Sequence, residues 1–192
     1  SSRSSLTCSS STHPSTPNGP TVSSLMQTTP DSTLVASHGL ATNSTVSSSV
    51  RRSNCIFLDT NILVYCVDPN DPQKQQICRR HLRDLQTSDR AVISTQILQE
   101  FYSVTTSKLA MPPELSRHYV SEYRLLPTVT VTPNLIDNAI SLHQAHQISF
   151  WDGLVIAAAS GAGCDALLTE DMNAGQIIAG VEIVSPQLFS AA

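Results

Sequence analysis

Four carboxylates far apart in the chain, Asp59, Glu100, Asp152 and Asp171, stand where the surrounding residues do not ask for a solvated acid. Asp59 closes the apolar run "IFLD" and is followed at once by "TNILVY". Glu100 sits beside a helical stripe of Ile97, Phe101 and Val104, because a step of 100° per residue puts it next to that stripe and not opposite it. A carboxylate there costs stability unless something cationic meets it. Positions 96, 97, 103 and 104 are Gln, Ile, Ser and Val, so no cation lies one turn away and a partner must come from elsewhere in the fold or from solution. Asp152 follows "ISFW", and Thr169 and Asp171 follow "DALL". Brought together, four such acids raise one another's pKa and oppose folding. An oxygen-rich, thiolate-free site answers that repulsion with Mg2+ or Mn2+. The chemistry available to it is metal-assisted hydrolysis of a phosphodiester.

Each acid also has a plain structural reading. Asp59 at a strand-to-helix turn is a candidate helix cap. Ser149 and Asp152 match a capping box, in which the Asp152 side chain reaches back to the Ser149 amide. Asp171 in "TEDMNAG" fits a turn, and Glu170 beside it reads as a solvated side chain.

The elements that must position these groups are legible as alternation. "CIFLD", "AVIST", "TVTVT", "DALLTE" and "VEIVS" are short β-rich runs. Segments of helical length lie between them, at 72–86, 96–109, 113–126, 133–147 and 152–162. Prolines 72, 113 and 133 fall where helices begin, and Gly163 where one ends. Strands alternating with helices predict a three-layer α/β/α sandwich on a mostly parallel sheet. In that architecture functional groups gather beyond the carboxyl ends of the strands, which is where the four acids fall.

Composition divides the chain. About half of residues 1 to 50 are Ser or Thr, and Arg3 and Asp31 are their only charged side chains. Residues 1–53 are expected to form a disordered tail, since so little apolar surface cannot offset about 1–2 kcal/mol of backbone entropy per residue. No apolar stretch there suits a secretory signal, and one Arg in fifty residues fits a mitochondrial presequence poorly. Residues 54–192 have the size of one domain. They carry fourteen acidic side chains against eight Lys or Arg, which argues against broad phosphate neutralisation as the mode of action. No apolar run approaches the roughly 18 residues of a membrane span. The five cysteines form no C-x-x-C pair and read as reduced core residues of a cytoplasmic protein.

"FLDTNILVY", Glu100 on a helix, and "ISFWDGLVIAAASGAGCDALLTEDMNAG" together resemble the PIN domain, and within it the VapC-like toxin ribonucleases of toxin–antitoxin pairs. The similarity runs over roughly residues 54 to 189. It implies a Mg2+- or Mn2+-dependent endoribonuclease, a homodimer, an RNA substrate and a protein antitoxin that holds it inactive. By position, Asp59, Glu100, Asp152 and Asp171 match the family's acidic quartet of metal ligands. Asn61 matches its D-x-N asparagine, and Thr169 the hydroxyl residue that bonds within the site. Gly153 replaces the Ala common after the W-D pair, Met172 replaces a frequent aromatic, and the Ser/Thr-rich tail precedes the usual start of such toxins.

His143 and His146, three apart on a helix, are expected as exposed side chains and not as a metal pair. Lys74, Arg79, Arg80 and Arg83 are expected as a solvated face; a track for RNA phosphates is the sharper reading. Phe150 and Trp151 are expected to pack beside Asp152, with base stacking as the alternative. A nuclease has two enzyme alternatives or near-alternatives: a PIN-type RNA-processing enzyme, and a catalytically weak domain that binds RNA or a partner. An aspartate-nucleophile phosphatase would need a second Asp where Asn61 stands.

Overall fold

The computed structural model describes residues 54–190. The tail expected over 1–53, and Cys8 within it, lie outside the described residues. The chain runs β1 (Ile56–Leu58), α1 (Thr60–Val67), α2 (Pro72–Thr87), β2 (Ala91–Ser94), α3 (Thr95–Ser107), α4 (Pro113–Tyr123), β3 (Thr128–Val129), α5 (Pro133–His146), α6 (Phe150–Gly161), β4 (Ala166–Leu168), β5 (Ile177–Ile178) and β6 (Val181–Val184). The sheet order is β3-β2-β1-β4-β6-β5. All pairings are parallel except β5 with β6.

This order follows from crossover handedness. Steps from β1 to β2 to β3 move one way across the sheet and carry α1 to α4, which pack against one another. The step from β3 to β4 moves back past β1 and carries α5 and α6, so right-handed crossovers put this pair on the opposite face. The result is the expected three-layer sandwich. Its strands are buried on both faces, as burial of every residue of β1, β2 and β4 reflects.

Phe57, Leu58, Ile93, Ile97, Phe101, Ile156, Leu167 and Leu168 form the centre of the core. The described cysteines, Cys55, Cys66, Cys78 and Cys164, are buried, as the sequence suggested, with Cys55 Sγ 2.8 Å from Cys164 Sγ. Burial lifts the Cys66 and Cys78 thiols to about 12 and keeps them inert. Among the described residues no helix is long and apolar enough to cross a membrane.

The sequence reading missed β5. It is two residues long and enters β6 through Ala179 and Gly180, both at positive φ (51° and 80°), the geometry of a type I′ hairpin turn. Ser160 Oγ donates to the Ala179 carbonyl at 2.9 Å and pins this turn to α6.

Helix α6 is buried from Gly153 to Ala159. A Cβ at Gly153 would stand 2.8 Å from the Ala139 carbonyl oxygen of α5, so the residue that departs from the family pattern is the one that lets the two helices approach. Gly→Ala within a helix ordinarily gains about 0.5–1 kcal/mol. Here Gly153→Ala should instead destabilise by about 1–2 kcal/mol through overpacking. Gly161→Ala, whose Cβ would meet only Leu135 Cδ1 at 3.9 Å, should not. Urea midpoints of the two variants check this; a raised midpoint for Gly153→Ala would show that the helices have room.

Candidate active site at the carboxyl edge of the sheet

β1 and β4 are neighbours although the chain leaves β1 toward β2, so the strand order reverses between them. Such a switch point opens a crevice beyond the strand ends. The register aligns Leu58 with Leu168, which puts Asp59 and Thr169 side by side at that crevice. Their backbones are fixed there by Asp59 N–H donating to the Leu168 carbonyl (3.1 Å) and Thr169 N–H to that of Val184 (3.0 Å).

Asp59 is both cap and site residue. It is the N-cap of α1, and its Oδ1 accepts from the Thr60 amide at 2.7 Å. Its Oδ2 accepts from the Thr169 hydroxyl at 2.6 Å and from Asn61 Nδ2 at 3.0 Å. The Asn61 amide also stands 3.0 Å from Asp171 Oδ2 and 3.1 Å from Thr169 Oγ1. The Asp171 backbone N–H donates to Thr169 Oγ1 at 3.1 Å. Four of the six expected residues, Asp59, Asn61, Thr169 and Asp171, therefore form one hydrogen-bonded unit.

Glu100 joins through neutral donors. Thr60 Oγ1 donates to its Oε2 and Gln96 Nε2 to its Oε1, each at 2.8 Å. No cationic partner from elsewhere in the fold meets Glu100 among the described residues; a hydroxyl from α1 and an amide from the preceding turn of its own helix do. Gln96 Nε2 also lies 3.4 Å from the Trp151 carbonyl oxygen of α6.

Asp152 stands apart. Ser149 caps α6 by accepting from the Asp152 amide at 3.1 Å, which is one half of the expected capping box. The side-chain return to Ser149 is not made, so the Asp152 carboxylate is left for another use. α6 begins at Phe150, two residues ahead of the expected start.

Burial pushes the Asp59 carboxyl from its ordinary 3.8 up to about 6, with the charges of Asp171 and Glu100 adding to the rise and the bonds from Thr169 and Thr60 opposing it. Three of the four acids therefore share one electrostatic field. Among the described residues no group of three or more His, Cys, Asp or Glu is close enough to hold a metal ion as they stand. The donor set still fits a hard cation. It is all oxygen, and among the described residues no Lys or Arg pairs with Asp59, Glu100 or Asp171 and the buried Asn61 Oδ1 and Gln96 Oε1 acceptors have no partner.

Glu170 is not the solvated side chain expected. Lys74 Nζ pairs with it at 2.6 Å and sits 4.5 Å from the Tyr65 ring centre, and Gln187 also donates to it. Burial opposes its charge, but bonds from Lys74, Gln187 and Tyr65 prevail and hold its carboxyl below the usual range. No local signal pointed to this pair, which joins residues 96 apart. Arg79 donates to the Cys66 carbonyl at 2.6 Å. Arg79 and Arg83 line a groove of about 350 Å³ with Tyr119 and Tyr123, between α2 and α4 and not among the quartet. His143 and His146 are exposed in the last turn of α5, as expected, with His143 Nδ1 bonded to the Ile148 carbonyl. Phe150 packs against the core, whereas Trp151 does not; it is 61% exposed.

A model of the PIN domain family matches residues 56–177. No curated protein sequence matches the chain. Among solved structures, a toxin–antitoxin complex from Klebsiella pneumoniae is similar at TM-score 0.52 and 20% identity, over 69% of this chain and 98% of that one. DNA-bound VapBC from Salmonella typhimurium gives 0.52 and 19%, over 69% and 98%. VapBC2 from Rickettsia felis, bound to a DNA fragment from their promoter, gives 0.51 and 18%, over 68% and 98%. At these identities the likeness is one of fold.

The raised Asp59 pKa makes a prediction with a definite sign. The folded state holds that proton more tightly than the unfolded chain, so stability from Asp59 is present below about pH 4 and is lost as pH rises through about 6. Raising a carboxyl from 3.8 to about 6 corresponds to about 3 kcal/mol when it is ionised. In EDTA, the melting temperature of Asp59→Asn should therefore gain on that of the wild type as pH rises from about 4.5 to 7.5. A difference that does not vary with pH would sink this account of Asp59.

Proposed function

The chain belongs to the PIN domain family, and on that premise we propose that it is a metal-dependent endoribonuclease, the toxin of a toxin–antitoxin pair. The observation that carries the reading is the unit of Asp59, Asn61, Thr169 and Asp171 at the strand-order reversal, with Glu100 in its field. The domain assigned to this activity is 54–192. Asp59, Glu100, Asp152 and Asp171 would hold Mg2+ or Mn2+ through carboxylate oxygens. When bound, such a cation supplies Lewis-acid polarisation of a phosphoryl oxygen and lowers the pKa of water.

The chain's own residues prepare that chemistry. Thr169 and Thr60 fix the two oxygens of Asp59, so its rotamer is set before any ligand arrives. Asn61 holds Asp59 and Asp171 on one amide, keeping two like charges at a common distance. Thr60 and Gln96 orient both oxygens of Glu100. The donors are neutral throughout, so the site keeps its negative charge for a cation. Placing the acids on strand ends and in the first two turns of helices gives them rigid supports for an RNA strand.

The solved structures of similar fold are toxin–antitoxin complexes. We extend this to the chain as a homodimer with a protein antitoxin, acting in the cytoplasm. A second reading is a domain that binds RNA or a partner without cutting it; it draws on the absence, among the described residues, of a ready three-ligand cluster.

Incubation of RNA with the protein in Mn2+ separates the two. The nuclease reading expects cleavage that EDTA abolishes and that Asp59→Asn lowers by at least about 100-fold. Cleavage equal in wild type and variant would mark a contaminant. Mg2+ should also raise the melting temperature at pH 7.5, since a ligand at about 100 times its Kd stabilises by about 2.7 kcal/mol; a flat response to millimolar metal would remove the cation from the account.

A further inference from the structure

Trp151 is the only tryptophan of the chain, and it is 61% exposed. A tryptophan carries the largest apolar side chain, so leaving most of it in water forgoes burial that the fold elsewhere takes up. Its neighbours are not loosely held. Phe150, with ring centres 5.3 Å apart and planes at 68°, packs against the core, and Asp152 is fixed by the Ser149 cap. The Trp151 carbonyl oxygen lies 3.4 Å from Gln96 Nε2, which also donates to Glu100. Gln96 is 3% exposed, so the side chain that links α3 to α6 here is itself buried. The backbone of Trp151 is therefore tied to the acidic site while its ring faces outward beside Asp152.

An acidic site has a recognition problem with a polyanion. Asp59, Glu100 and Asp171 pair with no Lys or Arg among the described residues, and Lys74 is spent on Glu170. Phosphates are repelled there unless cations intervene. A contact that carries no charge avoids that repulsion, and every nucleobase offers one as a π face. A rigidly based, outward indole one residue from Asp152 is such a contact.

We propose that Trp151 is a base-stacking platform that seats an unpaired nucleobase of single-stranded RNA next to the candidate active site. The proposal rests on the ribonuclease reading and deepens it by assigning a substrate-binding residue. The acids act on the phosphodiester, and Trp151 holds the strand in register with them.

Steady-state cleavage of a short single-stranded RNA by the full chain tests it. Trp151→Ala should raise KM about ten-fold with kcat changed less than about two-fold, and Trp151→Phe should restore most of the loss. Melting temperature should stay within about 2 °C of wild type, because an exposed ring contributes little to the core. Being the sole tryptophan, Trp151 also reports directly. In Asp59→Asn with Mg2+, its fluorescence should be quenched by the RNA and not by an abasic oligonucleotide of equal charge. If wild type cleaves while Trp151→Ala keeps its KM and the fluorescence is indifferent to bases, the platform is overturned and the nuclease reading stands. If wild type does not cleave, the nuclease reading falls, and base-dependent quenching alone decides the platform. An unchanged KM with a lower oligomeric mass in Trp151→Ala would overturn it in favour of a protein interface.

Discussion

A half-buried aspartate that no cationic side chain answers among the described residues is the constraint around which this domain is arranged. Asp59 leaves water at the end of β1, and burial pushes its pKa to about 6. What keeps the arrangement intact is a set of neutral donors: the Thr60 amide, the Thr169 hydroxyl and the Asn61 amide. These meet only because β4 returns to lie beside β1, with Leu58 and Leu168 in register. A fold with β4 elsewhere would leave a carboxylate stranded in the core. The long crossover through α5 and α6 is thus the topological condition for a tolerable Asp59.

The site has two kinds of support. Asp59, Thr169 and Asp171 ride on neighbouring strand ends, whose backbones are bonded to each other and to β6. Glu100 and Asp152 ride on α3 and α6, and their positions depend on helix packing. Gln96 joins these helices through Glu100 and the Trp151 carbonyl, while α6 is seated on α5 where Gly153 meets Ala139. The strand-borne half is closed by hydrogen bonds already; the helix-borne acids come to it through side chains of intermediate length. Among the described residues the four acids accordingly form no ready cluster.

Much of this was legible in the sequence. The strand-helix alternation located five of the six strands, and the apolar run up to Asp59 singled out an acid that is also the cap of α1. The failures have physical causes. β5 is too short to show a period, and its turn uses Ala179 at positive φ, where Gly or Asn is the usual signal. "SFWDGLVIAAAS" is apolar nearly all round, so periodicity could not tell that Trp151 faces out while Phe150 faces in. Gly153 looked like a neutral departure, since its reason is a carbonyl of another helix. Gln96 was noted only for lacking charge, yet its buried amide holds Glu100. Lys74 and Glu170 meet only after folding has brought α2 to the end of β4.

Both margins of the sheet are stubs. β3 and β5 have two residues each, and β5 turns back through its hairpin onto β6. An outer strand this brief exposes too few amides and carbonyls to recruit an extended segment from another molecule. Growth of fibres by edge pairing is thereby disfavoured, and within the described residues the broader surfaces open to association are the flanks of the helices and the loops.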